Sequence, residues 1–286
     1  MHTIIYIHTS YNRDNQIFEK GMIFMIIDGH SHLTLPVKEH IKIMDKAGVD
    51  KTVLFSTSFH PEMDKNAQEV KASMNYLNEL LNGKKGNMTE IRKKSVQELV
   101  KAINLYPERY TGFGAVPPGL DLNTTGQYIS DNIKKNHLAG MGEFTLGSGQ
   151  IPLLENIFKL SHEFGNLPIW IHGFFPLELH DIKKISNFAR KYPSIPVILG
   201  HLGGINWLET MDMAKEIPNL FLDTSAYCST FVLGTVVNEL PKKCIFGVDR
   251  PFGDLELSKE ALLKVAKSKS IASAVLGENI AQILKI

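Results

Sequence analysis

Cysteine is scarce in this sequence, and long apolar runs and an excess of charge are missing. Its 286 residues include only two cysteines, Cys228 and Cys244, with no CxxC spacing and no disulfide framework, so a reduced, cytoplasmic setting is expected. No apolar run approaches the ~20 residues that a membrane span needs, so we expect no membrane partner. The 31 basic and 30 acidic residues nearly cancel, so no global field favours nucleic acid as a partner.

The first 24 residues lack both the basic start and the long apolar centre of a secretory signal peptide. We interpret residues 1–24 as an N-terminal extension outside the core, with Met25 or Met22 as the alternative start of the protein. No linker rich in proline, glycine or serine divides the remainder. Residues 25–286 are therefore expected to form a single domain.

Glycine-rich phosphate loops are absent as well, since neither GxGxxG nor GxxxxGK[ST] occurs. Their absence argues against a doubly wound open sheet, the structural alternative for a chain that alternates short apolar runs with helical patterns. Eight apolar runs have the character of strands that are covered on both faces. These runs lie at 23–29, 51–57, 110–116, 138–144, 168–173, 196–201, 220–226 and 244–249. Eight strands that alternate with helices predict an α/β fold, a closed (β/α)8 barrel of the TIM type.

The apolar run "MIIDGHSH" ends in two histidines one residue apart, His30 and His32, preceded by Asp28. Alternate side chains of a strand point to one face, so all three polar groups should share a face. Two interpretations stay open at this point. A strand end that turns to solvent accommodates histidine without any function, whereas half of a metal site would use both imidazoles as ligands.

Polar side chains recur at the carboxyl ends of other predicted strands, where the chemistry of α/β barrels takes place. The fourth, fifth, sixth and eighth strands end at or near Glu143, His172, His201 and Asp249. Imidazoles and a carboxylate that leave one position open make a catalytic zinc site, in which the metal activates water. Asp249 is placed to take the proton of that water, and His201 either to ligate the metal or to act as an acid or base.

Three further side chains follow strand ends and are candidates for the wall of a substrate pocket. They are His60 after the second strand, Trp207 after the sixth and Tyr227 after the seventh. A mixed aromatic and hydroxyl pocket would suit a small polar molecule as the substrate. Ordinary loop packing or helix capping is the alternative for each residue.

The ordered series of HxH, "PIWIHG", "GHLGG", "FGVDRPFGD" and the closing "LGENIAQILKI" resembles the amidohydrolase superfamily. Within it, the series is similar to the amidohydrolase-2 branch of metal-dependent hydrolases and decarboxylases, over about residues 25–286. The resemblance implies a distorted barrel, a homodimer and one divalent metal, most often zinc, with manganese as the alternative. The ligands that it implies are His30, His32, His172 and Asp249, with His201 as the catalytic histidine.

Two carboxylates flank the implied ligands. Glu143 stands on the strand where binuclear relatives carry a carboxylated lysine, so it is either a metal ligand or a partner of one, and we favour the ligand. Asp28 should face the barrel beneath the histidines. We expect it to orient them, because metal-bound histidines usually donate their other N–H to an acceptor.

Three functions are compatible with these features: a hydrolase of a small lactone, ester or amide, a nonoxidative decarboxylase of a small carboxylic acid, and a non-catalytic metal-binding scaffold. A scaffold would be indicated by a damaged ligand set, yet every expected position is filled. A decarboxylase acts on an anion, which a guanidinium at the rim would favour. The one arginine at a strand end, Arg250, should point away from Asp249, and Arg92 falls in a helix. The sequence therefore favours the hydrolase.

Overall fold

Eight parallel strands lie side by side in the order in which they occur along the chain. They are β1 (Ile27–His32), β2 (Lys51–Phe55), β3 (Tyr110–Gly114), β4 (Gly140–Phe144), β5 (Ile169–Ile171), β6 (Val197–Leu199), β7 (Leu220–Asp223) and β8 (Cys244–Ile245). Hydrogen bonds from Gly29 N to Phe246 O (2.7 Å) and from Val248 N to His30 O (3.0 Å) join β1 to the segment after β8 and close the ring. The predicted (β/α)8 barrel is confirmed. The computed structural model describes residues 25–81 and 87–286, so the predicted extension at residues 1–24 lies outside the described residues.

Helices cover the outside of the barrel. In the described ranges they are α1 (Val37–Ala47), α2 (Ala67–Leu81), α3 (Met88–Leu105), α4 (Leu122–Ile129), α5 (Glu155–Glu163), α6 (Leu179–Lys191), α7 (Trp207–Glu216), α8 (Thr230–Glu239), α9 (Leu255–Val265), α10 (Lys269–Ser273) and α11 (Asn279–Leu284). Gly48, at φ 64°, ends α1 because glycine enters the left-handed region without a steric penalty. None of the described helices is long and apolar enough to cross a membrane.

The first strand lies further along the chain than the apolar run predicted. The sequence indicated a strand over 23–29, whereas β1 runs over Ile27–His32 and includes both histidines. Pairing decides the difference, since Ser31 and His32 lie in register with the last two residues of β2. Close approach also requires glycine inside β1, because a Cβ at Gly29 would lie 2.6 Å from the Ile245 side chain.

Two apolar layers stabilise the barrel. The outer layer lies between strands and helices, and the inner layer fills the barrel beneath the polar strand ends. The inner layer consists of Ile27, Val53, Phe55, Phe113, Trp170, Ile198, Ile245 and Ile280. Burial of each large side chain contributes about 1.5–3 kcal/mol. The rings of Phe55 and Trp170 lie 4.7 and 5.4 Å from the His30 ring, so this layer also supports the first histidine from below.

Candidate metal centre at the strand ends

His30 and His32 point from one face of β1 into the barrel, toward two carboxylates from other strand ends. Asp249 Oδ1 lies 3.3 Å from His32 Nε2 and 3.9 Å from His30 Nε2. Glu143 Oε2 lies 3.7 Å from His30 Nε2 and 3.6 Å from His32 Nε2. Nitrogen and oxygen donors from the ends of β1 and β4 and from the loop after β8 thus surround one point.

These donors fit a divalent metal ion. Ligand atoms that share one ion through bonds of about 2.0–2.2 Å lie no more than about 4.4 Å apart, as these four contacts do. In the described part of the chain, His30 Nε2 and Asp249 Oδ1 are buried and have no hydrogen-bond partner. Buried polar atoms are otherwise almost always paired. His30, His32 and Glu143 therefore form one group that could hold a metal, and Asp249 lies beside it.

Asp249 reaches this point from a loop and not from a strand. The sequence placed it on a strand over 244–249, but β8 ends at Ile245. Its backbone has φ 61°, in the left-handed region that aspartate tolerates better than most residues with a side chain. The Asp249 N–H donates to His30 O at 2.6 Å, so the backbone of β1 positions the carboxylate.

Asp223, the last residue of β7, orients the His30 ring. His30 Nδ1 donates to Asp223 Oδ2 at 2.8 Å, which turns Nε2 toward Glu143 and Asp249. Both side chains are fully buried. Asp223 is not among the predicted site residues. Alternation along "LFLD" could have identified it, because Phe221 and Asp223 share a face and Phe221 packs on the inner layer.

The role expected for Asp28 is wrong in its detail. Asp28 is buried, but its carboxylate accepts from the backbone N–H groups of His30 and Val248, both at 3.1 Å, and from Ser31 Oγ at 2.5 Å. It therefore holds the backbone of β1 against the loop after β8. Among the described residues no imidazole ring is hydrogen-bonded to Asp28, and the His30 ring donates to Asp223 instead. Burial raises the pKa of Asp28 to about 7.

The second oxygen of Glu143 serves another pair of histidines. Oε1 lies 3.0 Å from His172 Nδ1 and 3.3 Å from His201 Nε2, and these two nitrogens are 3.0 Å apart. Burial alone would raise the pKa of Glu143, but the neighbouring His30 and His172 hold it well below its usual range. Glu143, His172 and His201 form a second group of possible donors. Metal ligation by His172 stays a prediction.

Oxygen acceptors face both nitrogens of His201. Ser225 Oγ donates to Asp223 Oδ2 at 2.5 Å, so it accepts from His201 Nδ1 at 2.9 Å. His201 Nε2 lies 3.3 Å from Glu143 Oε1, a carboxylate oxygen that can only accept. Burial alone would lower the pKa of His201, but the carboxylates of Glu143 and Asp223 raise it above its ordinary value. His201 is thus placed to hold a proton at Nε2 and to give it up.

The predicted pocket residues have no described contact to the donors of this centre. His60 bridges Glu62 (3.1 Å) and Glu98 (3.5 Å), which raise its pKa. Trp207 begins α7 and packs edge-on against Phe231, with ring centroids 6.4 Å apart. Tyr227 is half-buried against the outer apolar layer. Their part in a substrate pocket stays a prediction.

A closed α/β barrel whose strand ends gather histidines and carboxylates defines a class of metal-site barrel proteins. The family model described as amidohydrolase matches residues 27–286. This chain therefore belongs to the amidohydrolase family, as the motif series predicted. A comparison with curated proteins finds no match.

Solved structures share the fold at low sequence identity. 5-Carboxyvanillate decarboxylase from Sphingomonas paucimobilis is 16% identical, with a TM-score of 0.65 over 92% of this chain and 99% of that one. 2,6-Dihydroxybenzoate decarboxylase from Rhizobium is 15% identical, with a TM-score of 0.63 over 92% and 99% of the two chains. A dihydroxybenzoic acid decarboxylase from Polaromonas, with bound manganese and the inhibitor 2-nitroresorcinol, is 14% identical, with a TM-score of 0.64 over 92% and 97%.

Proposed function

We propose that this protein is a metal-dependent nonoxidative decarboxylase of a small aromatic carboxylic acid. The observation that carries the proposal is the position of His201 Nε2, which lies 3.3 Å from Glu143 Oε1 and beside the metal donors, where it can hold a proton and give it up. Decarboxylation replaces a C–COO⁻ bond by a C–H bond, so it needs an acid at this place. The similarity to three decarboxylases supports the same choice over the hydrolase that the sequence favoured.

The donor set suits either zinc or manganese, since both accept imidazole and carboxylate ligands. His30, His32, Asp249 and Glu143 would hold the ion. A bound divalent cation supplies positive charge for the substrate carboxylate and the oxygen next to it.

The chain's own residues supply the proton and its control. His201 donates its Nε2 proton to the ring carbon that bears the carboxylate, the C–C bond then breaks, and its electron pair restores the aromatic ring as CO₂ leaves. One carboxylate and one proton are consumed, and one arene and one CO₂ are formed. Ser225 and Asp223 keep the Nδ1 side of His201 fixed, at 2.9 and 4.0 Å, so that Nε2 faces the substrate.

Protein loaded separately with zinc and with manganese tests this function. We expect CO₂ release from 2,6-dihydroxybenzoate or 5-carboxyvanillate, and one deuterium in the product when the reaction runs in D₂O. His201→Asn should lower the rate at least ~100-fold with metal content unchanged, since general acid catalysis is worth that much. No CO₂ from any aromatic acid at full metal loading would reject the proposal.

A hydrolase of a small lactone, ester or amide is the second candidate. Asp249 Oδ1 favours it, because this buried oxygen has no partner in the described residues and lies 3.3 Å from His32 Nε2, where it could take a proton from water. A pH-stat assay of the same metal-loaded protein on lactones tests it. Acid release that Asp249→Asn abolishes, without any decarboxylation, would place the hydrolase first.

A further inference from the structure

Residues 56–66, the β2 loop, connect β2 to α2 and run beside the metal centre. Phe55, the last residue of β2, lies against both histidine rings of β1, with ring centroids 4.7 and 6.1 Å apart. Within the loop, the Phe59 ring stacks on Phe252, with centroids 6.3 Å apart and an angle of 17° between the planes. Phe252 N in turn donates to Asp249 O at 2.8 Å. The β2 loop therefore reaches from the histidine donors to the loop that carries the aspartate.

His60 joins the β2 loop to α3 and to the loop after β1. Its Nδ1 donates to Glu62 Oε1 at 3.1 Å, and the same oxygen accepts from Leu35 N at 2.8 Å. Its Nε2 lies 3.5 Å from Glu98 Oε2 on α3. In the described part of the chain, Glu62 and Glu98 are the charged side chains that form ion pairs with this ring. Both nitrogens of His60 thus face carboxylate oxygens, which can only accept.

The two carboxylates favour the protonated form of His60. The hydrogen bond to Glu62 and the charges of Glu62 and Glu98 raise the pKa of His60 above its ordinary value, although partial burial opposes them. When Nε2 loses its proton, its lone pair faces the Glu98 carboxylate, so the contact with α3 becomes repulsive while Nδ1–H still holds Glu62. The stabilisation is therefore fully present below about pH 6.5, where free histidine titrates, and is lost as the pH rises through the higher pKa in the folded protein.

We propose that the β2 loop is a cover beside the metal centre, which the proton on His60 ties to α3 and which loosens as the pH rises. Loss of the contact with Glu98 removes one anchor of the loop, so the stack of Phe59 on Phe252 opens more often. Metal then enters and leaves faster in the same pH range. The cover acts in the same way whichever reaction takes place at the metal.

Hydrogen exchange of the β2 loop amides at pH 6 and pH 8.5, corrected for intrinsic exchange rates, tests the contact with α3. Protection in the wild-type protein should fall about 5-fold at the higher pH, the value of one partly exposed ion pair. Glu98→Gln should abolish this pH dependence, because an amide donates to the neutral ring and accepts from the charged one. Glu90→Gln, which changes an exposed carboxylate on the same helix, is the matched control and should behave as wild type.

Transfer of bound metal to an excess of chelator tests whether the loop covers the metal centre. At pH 8.5 the wild-type protein should release metal about 5-fold faster than Glu98→Gln protein, and at pH 6 the two rates should agree. His60→Leu removes both contacts of the ring, so at pH 6 it should release metal about 5-fold faster than wild type. Each comparison is made at one pH, so the pH dependence of the chelator cancels.

Two results would overturn the role of the His60 proton: equal loop protection of wild type at both pH values, or a pH dependence that persists in Glu98→Gln. Equal metal release by wild-type and Glu98→Gln protein at pH 8.5 would overturn the cover even if loop protection differs. If His60→Leu does not fold, the Glu98→Gln comparisons decide alone. None of these measurements involves turnover, so they stand apart from the test of the decarboxylase by CO₂ release.

Discussion

The inside of this barrel has two levels that differ in chemistry although the same strands build both. The lower level is the inner apolar layer, in which Phe113 and Trp170 are fully buried. The upper level consists of ionisable groups, of which His30 and Asp223 are also fully buried, at 0% exposure. Burial stabilises the lower level and opposes the upper one, where each charge requires a partner. Fold stability and chemistry are thus separated by height along the strands.

Removal of the upper histidines should have the largest effect on function. The double variant His30→Ala/His32→Ala should lose its metal, measured by elemental analysis, and its activity should fall at least ~1000-fold because the metal contributes several kcal/mol to catalysis. The lower level is untouched, so circular dichroism should show a folded barrel. The exposed His162→Ala is the control. Metal retained at one ion per chain in the double variant would contradict this site.

A substitution in the lower level should lower stability and leave metal binding unchanged, the opposite of the histidine variant. Phe113→Ala opens a cavity at a fully buried position, so the free energy of unfolding in urea should fall by about 3–5 kcal/mol. Metal content per folded chain should stay the same. Phe175→Ala is the matched control, because the Phe175 side chain is 83% exposed and its removal should change stability little. A loss of metal affinity in folded Phe113→Ala protein would show that the two levels are not separable.

Two buried aspartates of the upper level should differ in their effect on metal affinity. Asp223 bonds the His30 ring and Asp28 bonds backbone N–H groups. Asp223→Asn should weaken metal affinity about 10–100-fold in a competition titration with a chelator, the usual effect of a partner to a ligating histidine. Asp28→Asn should change it less than about 3-fold, because no ring loses its partner. Equal effects of both would remove the orienting role from Asp223.

His40 offers the smallest test, a buried imidazole outside both levels. Burial, with Arg250 and Arg109 nearby, lowers its pKa to about 3, so it stays neutral in the folded protein and takes up a proton only on unfolding. Stability from this group is therefore lost as the pH falls below about 6.5 and continues to fall toward pH 3. Between pH 7 and 5.5 the loss should be about 1 kcal/mol, and His40→Met should abolish it. Urea titrations at both pH values measure the free energy of unfolding, with His162→Met as control. If His40→Met protein lost as much stability between pH 7 and 5.5 as wild type, this role of His40 would be contradicted.

The pattern of apolar and polar residues along the sequence predicted the strands and much of the candidate metal site. Continuous apolar runs located all eight strands, and the rule that barrel chemistry lies at strand ends singled out His30, His32, Glu143 and Asp249, which the structure brings together. These features depend on the two-residue alternation of side chains along a strand and on the direction of that strand. Both are determined by residues that are close together in the sequence.

The ring partner of His30 was decided only by the tertiary structure, because Asp223 lies 193 residues away in the sequence. The same holds for the backbone role of Asp28. The sequence alone determined which side chains stand at each strand end, since this depends on alternation along one strand. Which of them meet depends on the closure of eight strands into one ring.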